Sequence, residues 1–318
     1  MKEEKDFYQL EKPIMLLQEK IEDLLSSEEE EERKKIPQLR QKIEKEWKKI
    51  SPLLTPLHIV QIARHPKRPY TLDYLGYLAQ DFMEMHGDRR AADDPAIIAG
   101  LGFYQGRTVA FIGHQKGRTT KQRLDRNFGQ PNPEGYRKAL RVMKLAEKFG
   151  HPVVTLIDTP GAYPGIRAEE HGQAEAIAYN LKEISKLRVP VVNVVIGEGG
   201  SGGALAVGVG DVILMLEHSF YSVISPEGCA AILWKDQQAT SLAAMSLKMT
   251  ARDLLDMGIV DKIIPEPPGG AHVDFEQTFK NVDKELNQTL KRLEKMSVED
   301  RLKARYEKFR KIGVFTEK

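Results

Sequence analysis

The sequence predicts an α/β protein preceded by a helical hairpin. Three observations carry this. Residues 151–158 and 189–196 are short, largely apolar runs rich in β-branched side chains, each set between stretches of helical periodicity. Strands buried on both faces have this pattern. Each run leads into a cluster of glycine, joined in the first case by proline, the punctuation of a tight turn. Residues 1–66, in contrast, are charge-dense and contain no glycine.

In that first region Ile14, Leu16, Leu17, Ile21, Leu24 and Leu25 recur at helical spacing, and Ile43, Trp47 and Ile50 extend the stripe. The acidic run 28–32 precedes Arg33, Lys34 and Lys35, so pairs can form along one helix face. Two antiparallel helices are expected, turning near Ser26-Ser27 or at Pro37 and packing on the main body or a partner chain. Arg64-His65-Pro66-Lys67-Arg68-Pro69-Tyr70 carries two prolines and reads as a linker or docking segment. The chain therefore divides into 1–66, hairpin and linker, and 67–318, the main domain. In the latter a helix is expected over 71–85, then strands over 96–103 and 108–113 joined at Gln105-Gly106, and a mobile loop running to Asn132. A helix over 132–149 should turn Leu140, Met143, Leu145 and Ala146 inward. After the strand 151–158 come a helix over 174–186, the strand 189–196 and a short helix over 203–209. Strands near 212–216 and 221–224 and a charged helical tail over 275–311 complete the chain.

Composition narrows the function. Lys and Arg number 48 against 46 Asp and Glu, for a net charge of +2. Nucleic acid is not expected as the main partner, because phosphate binding draws on a basic excess. No apolar run approaches the roughly 20 residues that cross a bilayer, and Met1-Lys2-Glu3-Glu4-Lys5-Asp6 has no apolar signal region. A cytoplasmic protein without membrane contact is expected. Cys229 is the one cysteine. It cannot form an internal disulfide, no Cys/His spacing suggests zinc, and its apolar neighbours suggest a small core residue.

Two turns carry the chemistry. In Ile196-Gly197-Glu198-Gly199-Gly200-Ser201-Gly202-Gly203-Ala204-Leu205-Ala206 a buried strand runs into a glycine cluster from which a helix starts. Without Cβ atoms a ligand can approach the main chain. The first amides of a helix have no internal acceptor, so free N–H donors collect there. They suit a phosphate, a carboxylate, or an oxygen that becomes negative during reaction. The plainer alternative is close helix–strand packing. In Asp158-Thr159-Pro160-Gly161-Ala162-Tyr163-Pro164-Gly165 two prolines and two glycines fix an irregular backbone that can hold Ala162 and Tyr163 at a cleft edge. Here the alternative is a rigid connection with Asp158 capping local amides. A third stretch, Gly113-His114-Gln115-Lys116-Gly117-Arg118, offers His114, Lys116 and Arg118 as contacts for an anion, though His114 could equally be structural.

Three familiar patterns fail on context. Gly197-Glu198-Gly199-Gly200-Ser201-Gly202 has the letters of a dinucleotide fingerprint, but no crossover to a strand ending in an acid follows. Asp158-Thr159-Pro160-Gly161 resembles a GTPase switch, yet the phosphate-binding G-x-x-x-x-G-K-[ST] sequence is absent. Gly199-Gly200-Ser201-Gly202-Gly203 has the letters of a nucleophile elbow, but only His218 and His272 follow it, in no loop signature.

Taken together, these stretches resemble the alpha subunit of the carboxyltransferase component of bacterial-type acetyl-CoA carboxylase. The likeness runs through Ala63-Arg64-His65-Pro66-Lys67-Arg68-Pro69-Tyr70, Pro133-Glu134-Gly135-Tyr136, Tyr221-Ser222-Val223-Ile224-Ser225-Pro226-Glu227-Gly228 and Ile263-Ile264-Pro265-Glu266-Pro267-Pro268-Gly269-Gly270-Ala271-His272. Ile166-Arg167 departs from it, since small residues are usual there. The resemblance implies a crotonase-like fold, ββα units stacked in a superhelix. It implies transfer of a carboxyl group from carboxybiotin, presented by the biotin carboxyl carrier protein, to acetyl-CoA. The implied partners are a beta subunit bearing a zinc ribbon, in an α2β2 assembly, and biotin carboxylase. This chain lacks the ribbon's cysteines, so zinc is expected only on the beta subunit. Gly202 and Gly203 would supply backbone donors to the biotin oxygen. Gly161, Ala162, Tyr163, Gly199, Gly200, Ser201 and Ala204 would line the site.

Overall fold

The computed structural model describes residues 6–27 and 29–313. Residues 1–5 and Glu28 of the acidic run lie outside them. The hairpin consists of α1 (Phe7–Ser26), the single turn α2 (Glu30–Arg33) and α3 (Ile36–Ile50). Both expected turn signals operate, Ser27 ending α1 in extended backbone and Pro37 sitting in the first turn of α3. Ile14 and Ile21 pack against Ile43 and Ile50, while Leu16 and Leu25 are exposed.

Two more helices, α4 (Pro56–Ala63) and α5 (Thr71–Leu78), lead into the sheet. The helix expected over 71–85 is corrected: it stops at Leu78, and β1 (Gln80–Glu84) follows. Its residues, Gln-Asp-Phe-Met-Glu, pair antiparallel with β2 (Ile97–Tyr104), so sheet edge pairing overrides local propensity. Next come β3 (Arg107–His114), α6 (Thr120–Asp125), α7 (Pro133–Phe149), β4 (Val153–Thr159), α8 (Ile166–Glu170), α9 (Gln173–Ile184), β5 (Val191–Gly200) and α10 (Ser201–Leu205). The last elements are β6 (Val212–Leu216), β7 (Phe220–Ser222), α11 (Pro226–Leu233), α12 (Thr240–Leu247), α13 (Ala251–Asp256), β8 (Lys262–Ile264), α14 (Phe275–Leu293) and α15 (Val298–Arg310). The expected loop to Asn132 is also corrected. Thr119 and Gln122 form a reciprocal cap that starts α6.

The sheet order is β1-β2-β3-β4-β5-β6-β8, with β7 pairing the far end of β5. The first three strands are antiparallel and the remainder parallel. Side chains alternate between two cores. Ala110, Ile112, Val153, Val191 and Val195 face α7 and α9, whereas Val109, Phe111, Val154, Leu156, Val192 and Val194 face α5 and α14. Burial on both faces explains why the central strands read as continuous apolar runs.

The segment Arg64–Tyr70 is not a loose linker. Arg68 is buried beneath the end of β5. Its Nε donates to the Ile196 carbonyl (2.8 Å), Nη1 to Glu266 (3.0 Å) and Nη2 to Ser219 Oγ (3.2 Å). A second clip fixes α1 to the body. Glu11 Oε2 accepts from His272 Nε2 at 3.1 Å and Oε1 faces His65 Nε2 at 3.4 Å, with the two imidazoles stacked. Their residue types would suit a metal, but His65 Nδ1 accepts the Lys67 N–H at 3.2 Å. That places the His65 ring proton on Nε2, aimed at Glu11, where a metal would need a lone pair. Hydrogen bonds from both imidazoles overcome the effect of burial and hold the Glu11 carboxyl below its ordinary pKa.

Burial pushes the His272 imidazole down to about 4, only partly opposed by Glu11, with the neighbouring His65 and Arg68 adding to the fall. The folded state therefore binds fewer protons than the unfolded chain between pH 4 and about 6.5. Stability from this group is full above pH 6.5 and is lost as pH falls. The unfolding free energies of wild type and His272→Gln should diverge by up to about 1.4 kcal/mol per pH unit across that window, then run parallel above it. Denaturant titrations at successive pH values measure this, and equal slopes would contradict it.

Candidate active site

The two turns predicted from sequence meet at the C-terminal ends of β4 and β5. The strands run in register to Ile157 opposite Val195, but the next pair is Thr159 opposite Gly199. The extra residues of β5 form a bulge carrying Gly197 and Glu198, a device that re-aims side chains beside functional sites. Beyond it the main chains touch. A Cβ on Gly200 would stand 2.3 Å from the Pro160 oxygen, and one on Gly203 2.5 Å from Gly161 C and 2.6 Å from Ala162 N. Close packing is thus a real function of these two glycines.

Gly202 differs. Its side-chain direction meets only the Ile177 side chain, at 3.5 Å. Ser201 and Gly202 are half-buried, whereas Gly199, Gly200, Gly203 and Ala204 are buried. Ser201 opens α10 with φ of 49°, a conformation that turns the chain sharply from strand to helix. The Gly202 and Gly203 amides fall in the first helical turn, where no helical carbonyl precedes them. No loop carbonyl or side chain among the described residues accepts from them. The short helix expected over 203–209 thus starts two residues earlier, which puts both glycines in its donor-rich first turn.

On the opposing turn Gly161 has φ of 148°, with open space where its side chain would be. Thr159 Oγ1 accepts its N–H (3.1 Å) and donates to its carbonyl (2.9 Å), while Tyr163 N–H donates to the Pro131 carbonyl (3.0 Å). Ala162 and Tyr163 are half-buried and line, with Gln173 and Ile177, an opening of about 510 Å³. A larger cavity of about 810 Å³ lies between the hairpin and the body. It borders neither turn, and its charged groups largely neutralise each other, Arg40 pairing Asp274 and Arg118 pairing Asp73. The smaller opening is therefore the candidate site.

The basic stretch divides. His114 is wholly enclosed and offers no surface to an anion; its Nδ1 faces the Asp158 N–H at 3.4 Å. Burial pushes its pKa down to about 3, against a smaller upward pull from the Gly203 and Leu156 main chain. Lys116 is turned inward, donating to Asp158 Oδ1 (2.7 Å) and Glu198 Oε2 (3.2 Å). Arg118 is the exposed member, stacked on Tyr70 and paired with Asp73. Sequence reasoning missed Arg64, whose Nε and Nη2 bind Glu198 Oε1 at 2.9 and 2.7 Å while Nη1 reaches Glu227. Two arginines beside two prolines, in a segment with too few small polar residues for a flexible linker, were the available signal. Cys229 is buried against Ala230 and Ala243, as expected of a core residue.

Residues 7–313 match the family described as acetyl co-enzyme A carboxylase carboxyltransferase-like. The chain is 52% identical over 314 residues to the acetyl-coenzyme A carboxylase carboxyl transferase subunit alpha of Geobacter metallireducens, covering 98% of this chain and 99% of that one. It is 54% identical over 323 residues to the same subunit of Halalkalibacterium halodurans, covering 99% and 97%. The chain belongs to this carboxyltransferase alpha-subunit family. Among solved structures, transcarboxylase 12S superposes with a TM-score of 0.58 at 18% identity, over 71% of this chain and 42% of that longer chain. The beta subunit of geranyl-CoA carboxylase from P. aeruginosa superposes with a TM-score of 0.56 at 17% identity, over 79% and 46%. These place the family member in the crotonase-type carboxyltransferase fold.

Because Gly203 faces backbone and not a flexible side chain, even a methyl group there must displace the main chain of the opposing turn. Gly203→Ala should cost about 2 kcal/mol through overpacking, whereas Gly202→Ala should stay within about 1 kcal/mol. Comparing the two by chemical denaturation decides this, and equal stability would show that the turns are free to separate.

Proposed function

We propose that this chain is the alpha subunit that, with a beta subunit, moves the carboxyl group of carboxybiotin to acetyl-CoA and so forms malonyl-CoA. Family membership supports the reaction. What supports the site is that the first-turn amides of Gly202 and Gly203 have no acceptor among the described residues, and that Gly202 faces Ile177, which lines the opening together with Ala162 and Tyr163. Loss of the carboxyl group leaves negative charge on the biotin ureido oxygen, and loss of the acetyl α-proton leaves it on the thioester oxygen. Backbone N–H donors fixed in advance stabilise such charge without reorganising, and biotin supplies the difficult bond chemistry. In this reading Gly202 and Gly203 serve the biotin oxygen, Gly199, Gly200, Ser201, Gly161 and Ala204 shape the wall, and Arg118 is the exposed candidate for an anion contact. The beta subunit, with its zinc ribbon, would supply the second wall in an α2β2 assembly. Biotin carboxyl carrier protein and biotin carboxylase would deliver the donor in the cytoplasm. Residues 67–318 would carry the reaction and residues 1–66 an accessory hairpin.

A hydratase or isomerase of the same fold would need a free acid or base at the cleft. Of the carboxylates that line the opening, Glu169 and Glu175 are exposed and Glu175 pairs with Arg137; the buried candidate acid, Glu198, has both carboxylate oxygens engaged by Arg64 and Lys116. Burial alone would raise its pKa, but those cations hold it below the ordinary value. It is a poor proton donor there.

Mixing the purified chain with the beta subunit, a biotin donor and acetyl-CoA should yield malonyl-CoA. Gly202→Val, which fills the Ile177 side of the opening, should lower turnover about 100-fold or more while assembly persists. Activity near wild type in the assembled variant would move the biotin site elsewhere.

A further inference from the structure

Two carboxylates hang from the ends of adjacent parallel strands, at the root of the two turns. Strands in a sheet lie only about 4.8 Å apart, so Asp158 and Glu198 stand side by side. Both are buried. Left alone, such a pair repels and drives the strand ends apart. Three contacts prevent this. Lys116 Nζ donates to Asp158 Oδ1 (2.7 Å) and Glu198 Oε2 (3.2 Å), and Asp158 Oδ1 also accepts the Glu198 N–H (2.9 Å). Arg64 holds the outer Glu198 oxygen. The inner group of two cations and two anions is neutral. Gly197 has no room for a side chain, because its Cβ would stand 2.6 Å from Asp158 Oδ1.

The stem of Lys116 is itself roofed over. A Cβ on Gly129 would lie 2.6 Å from Lys116 Cγ. The roof is three consecutive residues at positive φ, Asn127 (47°), Phe128 (55°) and Gly129 (79°), a conformation costly for the two that carry side chains. From it the chain runs on to Pro131, whose carbonyl accepts from Tyr163 N–H and Gln173 Nε2. Lys116 therefore contacts the root of both turns, and the chain that covers it contacts Tyr163 and Gln173, which line the opening.

We infer that Lys116 is a positioning residue: by bridging Asp158 and Glu198 it sets the separation of the two turns, and through it the aim of the Gly202 and Gly203 amides. This rests on the function proposed above. It assigns Lys116 an inward role, distinct from contact with a substrate anion. A displacement of about 1 Å in a positioned group can cost about 100-fold in rate, so the effect should fall on kcat.

The test compares wild type, Lys116→Met and Lys116→Met with Glu198→Gln, each assembled with the beta subunit. The double variant removes one positive and one negative charge and restores neutrality. Lys116→Met should lower kcat about 100-fold with both KM values within about twofold, and the double variant should recover at least tenfold of that loss. Hydrogen exchange of peptides spanning 158–165 and 197–205 should quicken in the single variant and slow again in the double. A loss confined to KM would restore the anion-contact role and overturn the inference, as would a double variant no better than the single. If the single variant does not fold, a double variant within about tenfold of wild type supports the inference and a slower one overturns it. Absence of product from the wild-type complex would sink the proposed reaction; unchanged exchange in Lys116→Met would separately sink the positioning role.

Discussion

Everything at this site depends on two main-chain turns approaching more closely than any side chain permits. The contact of Gly200 with Pro160, and of Gly203 with Gly161 and Ala162, leaves no volume for even a methyl group. Glycine is needed there for space. At Gly161 the requirement is conformational, because its φ of 148° lies where other residues are strained while the space around it is open. Only Gly202 is free of both demands. Gly161, Gly200, Gly202 and Gly203 are thus not interchangeable, although the sequence shows only glycine at each.

The same closeness creates an electrostatic problem. A bulge in β5 brings Glu198 to the level of Asp158, and neither carboxylate reaches bulk water. Cations must come from elsewhere in the chain. Lys116 arrives from the end of β3 and Arg64 from the end of α4, while Arg68 fastens the segment that carries Arg64 under the Ile196 carbonyl. Burying ion pairs costs desolvation that their attraction barely repays, so such networks are weak grounds for stability and better grounds for specified geometry. The geometry specified here is the gap between the turns.

Much of the fold was legible, for a physical reason. Strands buried on both faces must be apolar throughout, so β4 and β5 announced themselves, and Pro133 and Gly150 marked the ends of α7. The turns were legible because glycine and proline report backbone demands directly. What sequence concealed was long-range. Residues Gln80–Glu84 form a strand only because β2 offers an edge to pair with. Arg64 and Arg68 looked like linker residues because their partners lie 134 and 198 positions away in the chain. His114 and Lys116 looked like a basic surface because nothing local shows that the strand end dives beneath Asp158. The roof over Lys116, with its left-handed Asn127 and Phe128, has no signature beyond Gly129.

Chemistry that places negative charge on oxygen can be served by a titrating side chain or by fixed dipoles. A titrating group at this position would have to share the interior with Asp158 and Glu198, and its pKa would move with every change in their ion pairs. Amide donors carry no proton that pH can remove, and their direction is set by the backbone alone. A site built from them transfers the whole burden to backbone placement, which explains why a buried set of charged residues and the left-handed roof over Lys116 lie behind the turns. Fixed donors along one wall can hold one oxygen, and a reaction with two oxyanions calls for a second wall brought by another chain.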